Sequence, residues 1–206
     1  MIYIPKTLPP KYVAPYVYIV ANQYNKLTTQ ELLSNMKYEN NQYNRRWLNQ
    51  YIEDMINKKV LNGAVVKSNT YKFKKKHVDL KPGEYYLCEF DDIQQILNIE
   101  DKCNRLDLVG YYGVLCSTIN NKSKVGYCFL SKLCELSGLN KSTVIKYNKI
   151  LEDNKLIYMI HSTTKGKPNY YGKIDNFDCV VQEAYKAGVF IPEDIFKTFI
   201  EYKQLY

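Results

Sequence analysis

The sequence lacks most of the residues and motifs on which common enzymes of DNA metabolism depend. It has only two histidines, His77 and His161, and three arginines among 206 residues. No G-x-x-x-x-G-K-[ST] motif is present, which argues against an ATP-driven helicase or partition motor. The histidine pair of a metal-dependent rolling-circle nickase is missing, as is the arginine and histidine set of a tyrosine recombinase. These absences predict a protein that is not an enzyme and needs no cofactor.

The six cysteines do not have the spacing of a metal site. They are separated by 15, 13, 12, 6 and 45 positions, and no C-x-x-C pair occurs. Because the two histidines are 84 residues apart, we expect no zinc site. Several cysteines lie among apolar residues, which predicts free thiols in a reducing cytoplasm. The acidic cluster at residues 89–92 has oxygen ligands that metals prefer, but its position before a predicted helix favours an N-terminal acidic cap.

Long apolar runs and export signals are also absent. No stretch approaches the ~18 apolar residues that a membrane-spanning helix requires, and no lysine-rich amphipathic helix of the interfacial type is present. The first six residues lack a basic region followed by an apolar one, so no signal peptide is expected. We therefore expect a cytoplasmic protein that makes no contact with a membrane.

Positive charge is plentiful, and it is segregated along the chain. The 26 lysines and 21 tyrosines fit the codon usage of an AT-rich genome, so their alternation is weak support for base stacking. Residues 1–83 have a net charge of +9 and residues 106–174 of +6. Residues 84–105 and 175–206 have net charges of −4 and −3. This segregation is typical of a protein in which each basic block faces a polyanion.

Residues 129–174 have the pattern of a helix pair followed by a hairpin. The predicted elements are a short amphipathic helix (129–137), a tight turn (138–139), a second helix (140–154), a strand (156–161), a basic loop (163–169) and a returning strand (170–174). Asn140 is a favourable N-terminal cap for the second helix. Helix, turn, helix and hairpin in this order are typical of a DNA-reading module.

The two sides of the second helix differ in chemistry. At about 100° per residue, Val144, Tyr147 and Leu151 share one side. The other side has lysines, hydroxyls and an isoleucine: Ser142, Ile145, Lys146 and Lys149, with Thr143 at its edge and Lys141 beside the cap. In a major groove, lysine contacts phosphate or guanine and an aliphatic group contacts the thymine methyl. We expect these six residues to bind in the groove, and Lys165 and Lys167 to bind the backbone. Solvated lysines on an ordinary helical hairpin are the alternative.

The first basic block repeats this organisation more loosely. The predicted elements are a helix (12–24, with Pro15 in its opening turn), a capping box (28–31) opening a short helix to residue 35, a long helix (40–59), and strands (60–66 and 71–77) around a turn (67–70). No glycine marks the turn between the second and third helices. The outward side of the third helix has amides and arginines, which contact adenine and guanine in a bidentate manner: Gln42, Arg45, Arg46, Asn49 and Gln50. A plain solvated face explains these residues equally well.

These patterns predict four segments. They are a first module with helices and a hairpin (1–80), an acidic linker segment with a strand at 84–90 and a short helix at 91–97 (81–105), a second module with its first helix at 106–116 (106–174), and a helical extension (175–206). The last helix, at residues 191–203, has an apolar stripe formed by Ile195, Phe196, Phe199 and Ile200. Packing of this stripe against its own domain is the first explanation, and a homodimer contact is the second.

Three short segments carry a family resemblance: Ser-Thr-Ile-Asn-Asn at 117–121, Gly-Leu-Asn-Lys-Ser-Thr at 138–143 and Lys-Tyr-Asn-Lys-Ile-Leu at 146–151. With them, residues 104–174 resemble winged helix-turn-helix proteins of plasmids and phages from low-GC Gram-positive bacteria. The whole chain resembles tandem winged-helix plasmid replication initiators and phage replisome organisers.

The resemblance implies a fold that is α+β and mainly α, with two winged helix-turn-helix modules and a C-terminal helical extension. It also implies binding of double-stranded DNA, with the second helix of the pair in the major groove and the hairpin tip at phosphate or minor groove. Recruitment of a host replication protein would follow. A transcriptional repressor, and a winged-helix scaffold that binds protein instead of DNA, remain as alternatives.

Overall fold

A computed structural model describes residues 1–22, 26–74 and 83–205, with side chains to residue 200. The fold is α+β and mainly α, as predicted. By their contacts, the residues divide into two compact units, Met1–Gly113 (unit 1) and Val114–Tyr206 (unit 2). Parts of two predicted elements, residues 23–24 of the first helix and residues 75–77 of a strand, lie outside the described residues.

Unit 1 alternates short strands with helices. Its elements are β1 (Ile2–Pro5), a 3₁₀ turn (Pro10–Tyr12), α1 (Val13–Ala21), β2 (Lys26–Thr28), α2 (Thr29–Asn35), α3 (Gln42–Asn57), β3 (Gly63–Lys67), β4 (Thr70–Phe73), β5 (Tyr85–Cys88), α4 (Phe90–Asn98) and α5 (Arg105–Thr118) up to residue 113. The described strands form two antiparallel sheets, β1–β5 and β2–β4–β3. Strand β2 leads directly into α2 and pairs with β4, so it links the hairpin to the helix pair.

Local side-chain hydrogen bonds define where the helices of unit 1 begin. The predicted capping box is confirmed: Glu31 N donates to Thr28 Oγ1 at 3.1 Å, and Thr28 N donates to Glu31 Oε2 at 2.7 Å. Helix α3 begins after Asn41, whose side chain accepts from Asn44 N at 2.8 Å. Between α2 and α3, Lys37 has a φ of 62°. A lysine therefore takes the left-handed conformation that glycine ordinarily supplies in such turns.

The acidic segment after residue 83 is a folded part of unit 1. The predicted strand and short helix are present as β5 and α4. Strand β5 pairs with β1 in the register Ile2 to Cys88, and α4 buries an apolar side formed by Ile93, Ile96 and Leu97. In α3, Leu48, Ile52 and Met55 are buried. The predicted linker thus contributes to the core of the unit because it supplies both a pairing strand and an apolar helix face.

Unit 2 repeats the order of a helix pair followed by a hairpin. After the end of α5 its elements are β6 (Gly126–Cys128), α6 (Leu130–Ser137), α7 (Lys141–Asp153), β7 (Ile157–Ile160), β8 (Asn169–Lys173), a 3₁₀ turn (Ile174–Asn176), α8 (Phe177–Lys186) and α9 (Glu193–Leu205). The sheet order is β6–β8–β7, antiparallel throughout. As in unit 1, the middle strand is the second strand of the hairpin, and it pairs with the short strand that precedes the helix pair.

The C-terminal helices pack against the sheet of their own unit. The buried cluster contains Val125, Ile160, Tyr170, Val180, Val181, Ala184 and Val189. Ile195 and Phe199 of α9 lie partly buried against it. The Phe196 ring lies 5.5 Å from the Tyr185 ring, and Ile200 is 41% exposed. The predicted apolar stripe therefore covers its own domain with at least two of its four side chains.

Candidate nucleic-acid interface

The turn between α6 and α7 depends on a left-handed glycine. Gly138 has a φ of 70°, and its N–H donates to Cys134 O at 2.9 Å. Three residues, 138–140, join the two helices, so α7 begins close to the end of α6. The Asn140 side chain caps α7 by accepting from Thr143 N at 2.9 Å, and the Ser142 hydroxyl donates to Asn140 Oδ1 at 2.7 Å. The predicted turn and cap are both confirmed.

Helix α7 has the two-sided character that its periodicity predicted. Val144, Tyr147 and Leu151 are buried. The outward side is exposed at Lys141, Ser142, Ile145, Lys146 and Lys149, and Thr143 is half-buried at its edge. Ile145 is an aliphatic residue among polar neighbours on this side, and its side chain is 51% exposed. From Lys141 to Lys149 the helix has no carboxylate, so this side is cationic around one accessible aliphatic group.

The hairpin loop of unit 2 brings two lysines to the surface. Lys165 and Lys167 are both exposed. They differ in their contacts, because Lys167 Nζ donates to Ala187 O, at the C-terminal end of α8, at 2.7 Å. At the base of the hairpin, His161 Nε2 lies 2.9 Å from Glu152 Oε2. This hydrogen bond raises the pKa of His161 above its ordinary value of 6.5, and it connects the last turn of α7 to the hairpin.

In unit 1, the candidate residues of α3 divide into two kinds. Gln42, Arg46 and Gln50 are exposed, and Arg45 is half-buried. The half-buried Asn49 makes hydrogen bonds with both ends of its amide. Asn49 Oδ1 accepts from Thr29 Oγ1 at 2.5 Å, and Asn49 Nδ2 donates to Asn69 Oδ1 at 2.6 Å. The Asn49 amide therefore joins α2, α3 and the β3–β4 turn. The sequence predicted instead that Asn49 lies on the outward side of the helix as a DNA contact.

The remaining surface of α3 is mixed in character. Tyr43 is 77% exposed. Along one flank the Trp47 ring lies 5.8 Å from the Tyr38 ring and 5.3 Å from the Tyr51 ring. Glu53 is also exposed on this helix. Since α3 exposes a carboxylate and an aromatic ring beside its arginines, it is the less uniformly cationic of the two candidate helices.

The six cysteines are free thiols, and burial raises the pKa of Cys128. Within the described ranges, no group of three or more histidine, cysteine, aspartate or glutamate side chains has the arrangement of a metal site. No helix among the same residues has the length and apolar character required to cross a membrane.

Comparison with known proteins adds no family assignment. No protein-family model matches the chain, and no curated protein matches it.

Proposed function

We propose that this protein binds double-stranded DNA with sequence specificity and that α7 of unit 2 lies in the major groove. The observation that carries the proposal is the outward side of α7. It exposes lysines around an accessible isoleucine, Ile145, while the opposite side of the same helix is buried. A helix that only covers a core gains nothing from an exposed isoleucine. In a groove, the same side chain loses water against a thymine methyl.

The surroundings of α7 support this role. In winged helix-turn-helix proteins the first helix of the pair crosses the backbone while the N-terminal residues of the second contact base edges. Here a three-residue connection joins α6 to α7, and Lys141, Ser142 and Thr143 lie in the first turn of α7. The hairpin with Lys165 follows directly in sequence. In the proposed complex, Lys146 and Lys149 contact bases or phosphates, and Lys165 contacts the backbone.

We place this binding in the replication initiation or gene regulation of a mobile element such as a plasmid or phage, in the cytoplasm and without enzymatic activity. The support is the sequence resemblance of residues 104–174 and the net charge of +6 on residues 106–174. An initiator also recruits a host replication protein. A repressor uses the same DNA-binding surface, and the DNA beside the gene separates the two roles. Direct repeats next to an AT-rich tract favour an initiator, whereas an inverted repeat over the promoter favours a repressor.

The exposed Gln42, Arg46 and Gln50 of α3, with Arg45 beside them, form a second candidate DNA contact in unit 1. Their amides and guanidinium groups have the donors and acceptors for adenine and guanine. The exposed Glu53 opposes a close approach of phosphate to the same helix. We therefore assign the main contact to unit 2 and an auxiliary one to unit 1.

The test is binding of the full chain to a library of random 30-base-pair duplexes, followed by fluorescence anisotropy on the enriched sequence. We expect enrichment of one site, and we expect Lys146→Glu to weaken binding by about tenfold or more. The matched control is Lys197→Glu on α9, where Lys197 is exposed and pairs with Glu193 at 2.8 Å. That change should leave the affinity within about twofold, because Lys197 lies on α9, which packs on α8.

Circular dichroism melts of both variants show whether the fold is intact. A chain that enriches no sequence, with Lys146→Glu and Lys197→Glu indistinguishable, contradicts the proposal. That result favours a winged-helix scaffold that binds protein.

A further inference from the structure

The hairpin loop of unit 2 is held by the chain that follows the sheet. Lys167 Nζ donates to Ala187 O at 2.7 Å, and Phe190 N donates to Thr164 Oγ1 at 3.4 Å. Ala187 is the C-cap residue that directly follows α8, and Gly188 turns the chain with a φ of 70°. Two hydrogen bonds thus connect the loop between β7 and β8 to the turn between α8 and α9. These two segments are more than twenty residues apart in sequence at their Thr164 and Phe190 contact.

The contact between Lys167 and the C-terminal end of α8 is electrostatically favourable. The last carbonyls of a helix have no partner within the helix, and the helix dipole puts partial negative charge there. The Lys167 ammonium group supplies both a donor and a positive charge to the end of α8. Phe190, which follows the helix, donates its backbone N–H to the Thr164 hydroxyl of the loop. The end of α8 and the loop therefore satisfy each other's polar groups.

The two tethered residues also close the tip of the loop. Lys167 N donates to Thr164 O at 3.1 Å, and Gly166 has a φ of 78° within this turn. Lys165 lies between the two tethered positions and is exposed. At the base, Ser162 N donates to Asn169 Oδ1 at 3.0 Å. Residues 164 and 167 are held both to each other and to the α8–α9 turn, so the backbone that carries Lys165 is held on both sides.

We propose that the turn at residues 187–190 braces the wing of unit 2, with Lys167 as the positioning residue and Lys165 as the loop lysine that contacts phosphate. The sequence predicted that both lysines bind the DNA backbone, and this inference gives them different tasks. Its consequence for affinity rests on the proposed DNA binding. The brace itself does not, because it is a property of the DNA-free protein.

Amide hydrogen exchange of the full chain without DNA tests the brace. In Lys167→Ala, the backbone amides of residues 163–167 should exchange about threefold faster than in the wild-type chain, as expected for loss of one exposed hydrogen bond. Lys165→Ala is the matched control, since it removes a lysine from the same loop and should leave exchange unchanged. Lys167→Arg retains a donor for Ala187 O and should keep most of the protection. Equal exchange in the wild type and Lys167→Ala overturns the brace, and so does equal acceleration in the two alanine variants.

A salt titration on the enriched duplex tests the division of tasks. Each neutralised phosphate adds about 0.9 to the slope of log K against log salt concentration. Lys165→Ala should therefore lower that slope by about 0.9, whereas Lys167→Ala should weaken binding about threefold at an unchanged slope. A drop of about 0.9 in the Lys167→Ala slope makes Lys167 a phosphate ligand and overturns the proposal, as does an unchanged affinity. If the wild-type chain binds no duplex, the proposed function fails while the exchange result still decides the brace.

Discussion

Replacing Asn49 with alanine should lower the stability of unit 1 by about 1–2 kcal/mol. The Asn49 amide accepts from Thr29 Oγ1 at 2.5 Å and donates to Asn69 Oδ1 at 2.6 Å. Two partly buried hydrogen bonds contribute about 0.5–1.5 kcal/mol each. Thr29 is fully buried, and its other acceptor, Asn69 O, is more distant at 3.4 Å. The better helix propensity of alanine returns about 0.5 kcal/mol of the loss.

Urea unfolding followed by tryptophan fluorescence is the assay. Trp47 is the only tryptophan of the chain and lies in α3 between the rings of Tyr38 and Tyr51, so its signal reports unit 1. With a denaturant dependence of about 1–2 kcal/mol per molar urea, the midpoint should fall by about 1 M. The control is Gln50→Ala, which removes the next, exposed amide of the same helix and should leave the midpoint within about 0.3 M. If Asn49→Ala has wild-type stability but binds DNA more weakly, the structural role is refuted. Asn49 would then contact a DNA base, as the sequence predicted.

Four further substitutions test backbone conformation, burial and ionisation, each by urea unfolding. Lys37→Gly should stabilise unit 1 by about 0.5–1 kcal/mol because Lys37 has a φ of 62°. Gly138→Ala should destabilise unit 2 by about 1 kcal/mol, although its added Cβ meets no atom within 4 Å. Stability changes of the opposite sign in these two variants would contradict the strain argument. Among the described residues the buried Tyr158 hydroxyl has no hydrogen-bond partner, and burial raises its pKa to about 12. Tyr158→Phe should therefore be neutral or stabilising by up to about 1 kcal/mol, and a clear loss would reveal a partner. His161 has a pKa raised by Glu152, so their attraction is complete below pH 6.5 and is lost as the pH rises through the raised value. The stability advantage of the wild type over Glu152→Gln should shrink over that range, and a constant difference would show that the pair does not titrate.

The elements that the sequence predicted well are those whose determinants are local. The capping box at Thr28 and Glu31 and the cap at Asn140 need only a side chain three residues from its backbone partner. The outward side of α7 follows from helical periodicity, because burying Val144 and Leu151 necessarily exposes Ile145 and its neighbours. These determinants predict both the helix boundaries and the main candidate surface.

The features that the sequence did not predict depend on distant partners. Strands β1, β2 and β6 are three or four residues long and exist through pairing: Leu27 pairs with Tyr71, and Tyr127 pairs with Tyr170. No periodicity is legible over so few residues. The contact of Lys167 with Ala187 spans twenty positions and is equally invisible in the sequence. A charged or amide side chain on the outward side of an element can thus already be hydrogen-bonded to another part of the protein when no ligand is bound.

The most direct measurement of the central claim is a repeat of the duplex selection with Lys146→Ala in the full chain. If α7 reads bases from the major groove, the enriched site should lose its preference at one base pair or two adjacent ones. The affinity for the original site should fall by about 1–3 kcal/mol, or about 5- to 150-fold. A uniform loss of affinity across sequences, with a salt slope smaller by about 0.9, would mean that Lys146 contacts a phosphate and not a base. An enriched sequence, affinity and salt slope identical to those of the wild-type chain would contradict the assignment of α7 as the DNA-reading helix.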